Sequence, residues 1–185
     1  MTTYLLPSLR LWIMTLLVCV LGYSALVFGF AQTVAPFQAE GSILMRNGKP
    51  VGSALIAQNF AQDRYFWPRP SAADYNGMGA AGSNLSPTSD KLKQRASETV
   101  SRYAAAADNP LPADLVAASG GGLDPHISLA GARYQGARVA AARALPVADV
   151  EALIDRMAFA PGGPAAPDRI VNVLELNLAL DRLGR

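Results

Sequence analysis

A long apolar stretch near the N-terminus dominates the pattern of hydrophobic and polar positions. Residues 11–39 contain no Asp, Glu, Lys, Arg or His, and residues 11–31 are the most apolar part. As a helix, residues 11–31 would reach about 32 Å, enough to cross a hydrocarbon core of ~30 Å. A single helix satisfies its own backbone hydrogen bonds in lipid. The pattern therefore predicts one transmembrane helix at residues 11–34.

The alternative interpretation is a cleaved signal peptide. Its apolar part would be about 7–15 residues long and would end in a small-x-small site. The stretch in this chain is longer, and its best cleavage site, residues 33–35, would place Pro36 directly after the cut. A retained membrane anchor is therefore favoured.

The charges on either side of the stretch predict its orientation. Arg10 precedes it, whereas the first charged residue after it is Glu40. Cytoplasmic flanks carry the excess of Lys and Arg. We expect residues 1–10 to be the cytoplasmic N-terminus and residues 36–185 to form an extracytoplasmic, periplasmic domain.

Alternating apolar and polar residues predict strands at both ends of this domain. Residues 42–45 and 51–57 flank Asn47-Gly48, a dipeptide that tolerates the positive φ angles of a tight hairpin turn. Residues 170–180 alternate as in a final strand, although the part from Leu176 onward fits a last helix equally well.

Apolar residues three and four positions apart predict helices between the strands. Residues 88–90 offer N-cap oxygens, and the following stripe consists of Leu92, Ala96, Val100, Tyr103 and Ala107. A short helix is expected at 113–119, a longer one from the cap Ser128 to about Arg143, and a third from Val150 to Met157.

An irregular segment, residues 63–84, separates the first strands from the helices. It is rich in Pro, Gly and Asn, and Pro68 and Pro70 force extended conformations on the residues before them. Loops of this length are often functional. The order of elements predicts the α+β class: a single N-terminal transmembrane helix followed by one small extracytoplasmic α+β domain.

Composition excludes several classes of protein. Hydrophobic residues make up 51% of the chain and charged residues 16%, which excludes a disordered tail protein. The formal net charge of +2 gives no strong attraction for nucleic acid. One cysteine, Cys19, excludes an internal disulfide, and one histidine, His126, excludes metal motifs built on paired histidines.

The chain shows no motif for catalysis or nucleotide binding. It lacks both the phosphate-loop sequence and the Gly-x-Ser-x-Gly elbow of hydrolases. The glycine run 120–122 is interpreted as a flexible helix terminus. Asp124 stands near His126, but Pro125 indicates a turn, so a turn-stabilising histidine is favoured over a catalytic one. We expect no catalytic, cofactor-binding or metal-binding residue.

The aromatic-proline segment (residues 65–70) has two interpretations. It covers the core, with Arg69 stacked on a ring, or it forms a contact surface for a partner. Residues 84–86 also fit a glycosylation sequon, a short and frequently accidental match. The candidate interface or structural residues are Tyr65, Phe66, Trp67, Arg69, Asn84, Asp124 and His126.

Several longer motifs resemble those of one family. They are Gly-Ser-Ala-Leu-Ile-Ala-Gln-Asn-Phe at 52–60, Tyr-Phe-Trp-Pro-Arg-Pro-Ser-Ala at 65–72, Tyr-Asn at 75–76, Gly-Ser-Asn-Leu-Ser-Pro-Thr at 82–88, Ala-Ser-Gly-Gly-Gly-Leu-Asp-Pro-His-Ile-Ser at 118–128, Arg-Val-Ala-Ala-Ala-Arg at 138–143, and Val-Asn-Val-Leu-Glu-Leu-Asn-Leu-Ala-Leu at 171–180. Over nearly its whole length the chain resembles the C subunit of the bacterial Kdp potassium-transporting ATPase. The aromatic-proline and Leu-Asp-Pro-His-Ile-Ser motifs are the most specific.

The chain departs from the family pattern at four places. Ala57 and Ser86 stand where the family usually has Gly, Gly121 stands where it has Ser, and one residue is added between Arg169 and Asn172. These are exchanges of the kind found in loops.

The resemblance implies a non-catalytic accessory and assembly subunit of a high-affinity, ATP-driven potassium uptake complex. Such a subunit would dock on a channel-like potassium-translocating subunit and support its coupling to the P-type subunit that hydrolyses ATP. A small single-span subunit and the lipid bilayer would be further partners. ATP, magnesium and potassium would belong to the complex, with none bound by this chain, in the bacterial inner membrane.

Two other functions remain open from the residues themselves. One is a stand-alone, membrane-anchored extracytoplasmic binding module. The other is an anchored hydrolase, which would have to use His126 as its base because the chain has no second histidine.

Overall fold

A computed structural model describes residues 2–166 and 168–183. Two compact units make up the chain, Met1–Leu44 and Met45–Arg185. The first unit is helical, and its elements are α1 (Thr2–Thr15), a π-helical segment (Leu16–Gly22), α2 (Tyr23–Val34) and the short α3 (Pro36–Ala39). Residues Thr3–Val34 form one helix that is long and apolar enough to cross a membrane.

This helix is longer than the apolar stretch that predicts it. At 1.5 Å per residue, its 32 residues span about 48 Å, more than a hydrocarbon core of ~30 Å. Its apolar side chains, including those of Trp12 and Phe28, lie exposed, as a surface facing lipid requires. The helix ends at Val34, because Ala35 precedes Pro36 and leaves the α conformation, with a φ of −142° and a ψ of 60°.

The remaining elements are short strands and helices, as expected for the α+β class. They are β1 (Ile43–Arg46), β2 (Lys49–Ser53), α4 (Asp90–Arg102), α5 (Ala113–Val116), β3 (His126–Ser128), α6 (Leu129–Arg143), α7 (Val147–Met157), a 3₁₀ turn (Gly163–Ala165), β4 (Ile170–Asn172) and α8 (Val173–Leu183). Residues 54–89, all of them described, contain no helix or strand, so the predicted irregular segment is confirmed and extends further on both sides.

The hairpin turn is confirmed. Asn47 and Gly48 have φ angles of 52° and 73°, and two positive φ angles in succession are what a two-residue type I′ turn requires. Strand β2 ends at Ser53 rather than at the predicted Ala57, because the chain turns there and Ile56 N–H donates to the Ser53 carbonyl at 3.3 Å.

The predicted final strand is confirmed only for Ile170–Asn172, and from Leu176 onward the alternative of a last helix is confirmed, since α8 spans Val173–Leu183. Strand β4 pairs antiparallel with β3, with Ile127 opposite Val171. The Asn172 side chain then accepts a hydrogen bond from Glu175 N–H at 3.2 Å, which starts α8 at Val173. The spacing of the apolar residues fits a strand as well as a helix, but the Asn172 side-chain oxygen caps the first turn and so favours the helix.

The core lies between α6, α7, α8 and the sheet of β3 and β4. Ser128 caps α6 as predicted, because its Oγ accepts from Gly131 N–H at 2.8 Å. Small residues on α6 pack against α7, and a Cβ on Gly136 would lie in ordinary van der Waals contact with Ile154 Cδ1, at 3.7 Å. The largest fully buried apolar side chains are Phe66, Leu115, Ile127, Val139, Val150, Ile154, Val171, Val173, Leu176 and Leu180.

Helix α4 is shorter than predicted. It begins at Asp90, directly after the expected cap region, but ends at Arg102, whereas the apolar stripe continues to Ala107. Ala104 has a φ of 49°, a left-handed conformation that a helix does not contain. Helix α5 covers only Ala113–Val116 of the expected 113–119.

Candidate functional site

The aromatic-proline segment runs through the domain core. Phe66 is 0% exposed and Trp67 5% exposed, and Pro68 is buried as well. Since this part of the chain belongs to no strand, its buried backbone groups need partners from elsewhere.

Two buried side-chain amides supply these partners. Asn177 of α8 accepts a hydrogen bond from Phe66 N–H at 2.9 Å and donates one to the Phe66 carbonyl at 3.0 Å. Gln135 of α6 accepts from Trp67 N–H at 2.8 Å and donates to the Trp67 carbonyl at 3.1 Å. The two amides, which we call the amide clasp, thus take the place of a neighbouring strand.

Trp67 lies between two guanidinium groups. The Cζ atoms of Arg102 and Arg138 are each 3.8 Å from the centre of its ring, and Tyr103 meets it edge-on at 5.1 Å. Such stacking is attractive through the quadrupole of the ring. The expectation that Arg69 stacks on a ring is corrected, because the arginines over the Trp67 ring are Arg102 of α4 and Arg138 of α6.

Arg69 instead belongs to a polar cluster with Asp124 and His126. Its Nη1 donates to Asp124 Oδ2 at 3.1 Å, while Asp124 Oδ1 accepts from the His126 backbone N–H at 3.0 Å and lies 3.1 Å from His126 Nδ1. The hydrogen bond from the His126 ring holds the pKa of Asp124 below its usual value, against the opposing effect of burial. The aspartate therefore stays ionised and joins the aromatic-proline segment to β3.

No Ser, Thr or Cys of residues 2–166 and 168–183 hydrogen-bonds to the ring of His126. In the described part of the chain its only hydrogen-bond partner is Asp124, and it meets the ring of Phe159 edge-on at 5.7 Å. This is the geometry of a turn held by an aspartate, in agreement with the interpretation drawn from Pro125.

A second ionic cluster was not anticipated from the sequence. Asp181 of α8 accepts from Arg143 at 2.7 Å and from Tyr65 OH at 3.3 Å, and it also pairs with Arg46. Burial alone would raise the pKa of Asp181, but the hydrogen bonds from the two arginines outweigh it and lower that pKa. Arg143 also donates from Nε to the Arg64 carbonyl, so this cluster holds the start of the aromatic-proline segment.

Asn84 takes no part in these clusters, and the glycine run borders the end of the aromatic-proline segment, where the Gly122 carbonyl accepts from Ser71 Oγ at 2.6 Å. Asn84 is exposed and has a φ of 49°. The interpretation of residues 120–122 as a helix terminus is wrong, because α5 ends at Val116. Gly122 instead forms a tight turn with a φ of 73°, where a Cβ would lie 2.8 Å from the Ala81 carbonyl oxygen.

Of the candidate residues, the structure brings six together around the aromatic-proline segment and leaves Asn84 outside. The residues that sequence reasoning missed are Gln135, Asn177, Arg102, Arg138 and Asp181. Within residues 2–166 and 168–183, no group of three or more His, Cys, Asp or Glu side chains could hold a metal ion.

Comparison with known proteins gives a family for this arrangement. Residues 5–182 match the family model KdpC, described as the c chain of K⁺-transporting ATPase. A protein of Parvibaculum lavamentivorans named potassium-transporting ATPase KdpC subunit is 63% identical over 177 residues, which cover 95% of each chain. Proteins with the same name from Serratia proteamaculans (46% identical, covering 98% of this chain and 99% of theirs) and Cereibacter sphaeroides (44%, covering 100% of each) are also similar. The chain therefore belongs to the KdpC family, the c subunits of the potassium-transporting ATPase.

Proposed function

We propose that the chain acts as a non-catalytic accessory subunit that docks on the channel-like subunit of the potassium-transporting ATPase and supports its coupling to the ATP-hydrolysing subunit. The observation that carries the proposal is the family match, which runs from the membrane helix to the end of α8. We also propose that this chain binds no ATP, magnesium or potassium of its own.

The architecture suits such a role. The proposed docking domain is held rigid by side chains that reach across long sequence distances, such as the amide clasp and the ion pairs of Asp181. A single helix cannot enclose an ion pathway, so the potassium route in this proposal belongs to the partner subunits.

The proposal places the N-terminus in the cytoplasm and the domain in the periplasm of the bacterial inner membrane. Support comes from Arg10 before the apolar stretch of residues 11–39 and Glu40 after it. Labelling of single cysteines with a membrane-impermeant maleimide tests this, in a Cys19→Ser background. Met78, which is 99% exposed, should react in intact spheroplasts as Met78→Cys, whereas Ser8→Cys should react only after permeabilisation. The reverse pattern would contradict the orientation.

Deletion of the gene tests the accessory role. Cells lacking the chain should lose growth at limiting potassium, and the remaining subunits should lose potassium-stimulated ATPase activity. Full-length chain carrying His126→Gln should restore both, since glutamine keeps the backbone N–H that Asp124 accepts. If His126→Gln folds and assembles but fails to restore uptake, the histidine has a chemical role and the non-catalytic proposal is wrong.

A further inference from the structure

A cleft with a volume of about 260 Å³ opens between the aromatic-proline segment and α4. Its walls combine aromatic and aliphatic side chains, among them Phe60, Pro68 and Leu115, with the polar side chains of Asn59, Ser71 and Thr99. Concave sites with apolar walls and a few polar groups are the usual form of small-molecule sites. The cleft is of a size for a single-ring compound.

Arg102 lines this cleft and is exposed, and its guanidinium lies over the Trp67 ring, with Cζ 3.8 Å from the ring centre. Among the described residues it forms no ion pair and no side-chain hydrogen bond, unlike Arg46, Arg69 and Arg143. The contact with the ring holds the guanidinium in place while leaving its donors available for a carboxylate, which arginine recognises through paired N–H donors.

The Tyr103 side chain, which also lines the cleft, offers a second hydrogen-bond donor. The Tyr103 hydroxyl makes no hydrogen bond within the described part of the chain, whereas Tyr75 OH donates to the Arg69 carbonyl at 3.0 Å. Burial raises the pKa of Tyr103 well above its usual value, so the phenol remains protonated at neutral pH. A ligand oxygen would thus find an O–H donor beside the cation.

The charges around the cleft favour an anion. Of the described residues that line it, none is Asp or Glu. Asp114, the acid that acts on Tyr103, is already engaged, since it accepts from both the N–H and the hydroxyl of Ser128 at 2.8 and 2.9 Å. Arg138, which also lies 3.8 Å from the centre of the Trp67 ring, adds a second positive charge nearby, itself paired with Asp63 at 3.8 Å.

We propose that this cleft binds a small organic carboxylate from solution, with its apolar body between the aromatic and proline side chains and its carboxylate on Arg102 and the Tyr103 hydroxyl. The site is independent of the subunit role and goes beyond it. Neither half of the ligand suffices alone, because the apolar walls bind the body and the guanidinium binds the charge.

Benzoate is a suitable probe for this site. Full-length chain in lipid nanodiscs, carrying Trp12→Phe, has Trp67 as its only tryptophan, and its fluorescence should change saturably on titration. Benzamide, which is neutral and of the same shape, should bind at least ten times more weakly, and acetate, which lacks the apolar body, should produce no saturable change. Arg102→Gln should weaken benzoate at least tenfold, and Tyr103→Phe severalfold. The matched control Lys91→Gln removes the same charge from α4 outside the cleft and should leave benzoate binding unchanged.

Three results with the free chain would overturn the proposal. They are a change in fluorescence that does not saturate, equal binding of benzoate and benzamide, or equal effects of Arg102→Gln and Lys91→Gln in variants with unchanged urea midpoints. A fourth test measures benzoate binding by the chain within the assembled complex. If the free chain binds benzoate but the chain in the complex does not, a partner's acidic side chain occupies the cleft and the small-solute site is wrong.

Discussion

Replacement of Asn177 by Leu would test whether the amide clasp holds the aromatic-proline segment in place. Asn177 is 2% exposed, and both atoms of its amide bond to the backbone of Phe66. Leucine has a similar shape but no polar atom. The N–H and the carbonyl of Phe66 would therefore stay buried and lose their partner.

The expected loss follows from two orphaned groups. Each buried backbone group left without a partner costs about 1–3 kcal/mol, so the two together cost roughly 2–6 kcal/mol. The extra apolar surface of leucine offsets about 1 kcal/mol of this. We expect the free energy of unfolding to fall by about 3 kcal/mol, which corresponds to a urea midpoint lower by about 1.5 M at an m-value of ~2 kcal/mol/M.

Urea unfolding of the full-length chain in nanodiscs measures this loss. Fluorescence of Trp67, in the Trp12→Phe background, reports on the residue next to the clasp. Asn76→Leu is the matched control, because that asparagine is exposed and, among the described residues, its oxygen accepts only from Met78 N–H, at 3.0 Å. We expect the control to change the free energy of unfolding by less than about 0.5 kcal/mol.

The reasoning would be refuted if Asn177→Leu and Asn76→Leu had the same small effect. Gln135→Leu provides an independent check, since it removes the equivalent pair of hydrogen bonds from Trp67. If both clasp variants unfold at the wild-type midpoint, the segment is held by apolar packing alone.

Two further predictions concern the turn at the glycine run and the cluster around Asp124. Gly122→Ala should lower the free energy of unfolding by about 2–3 kcal/mol, because φ is positive and the new Cβ would lie 2.8 Å from the Ala81 carbonyl oxygen. The control Gly121→Ala, which has open space around the new Cβ, should change the free energy of unfolding little. Equal urea midpoints of the two variants would contradict this prediction. The lowered pKa of Asp124, caused first by its hydrogen bond from His126, means that its ionised form contributes stability fully above the ordinary pKa of about 4, and that this contribution is lost as pH falls through the lower folded pKa. Asp124→Asn should therefore lower the urea midpoint clearly at pH 7 and less at pH 3, and an equal difference at both pH values would contradict the assignment.

The local elements could be predicted because their signals are local. The positive φ angles of Asn47 and Gly48, the cap at Ser128 and the apolar spacing of α7 each lie within a few residues of the element that they define. The last helix was ambiguous for a similar reason. Its apolar residues fit the spacing of a strand and that of a helix, and the Asn172 cap decides in favour of the helix.

The clusters around the aromatic-proline segment could not be predicted in the same way. Asn177 reaches a residue 111 positions away and Gln135 one 68 positions away, and no local pattern relates such pairs. A glutamine or asparagine on an apolar helix face signals only that a buried partner is needed. The sequence could therefore show that residues 65–70 are unusual, but not that α6 and α8 hold them, nor that Arg102 stacks on Trp67.

Gentle extraction of the C-terminally tagged chain from potassium-starved native cells tests the subunit role most directly. We expect a large multi-span subunit and a P-type ATPase to co-purify with it, and the preparation to hydrolyse ATP with stimulation by potassium. Recovery of the 19.4 kDa chain alone, under conditions that keep other membrane complexes intact, would contradict the accessory role.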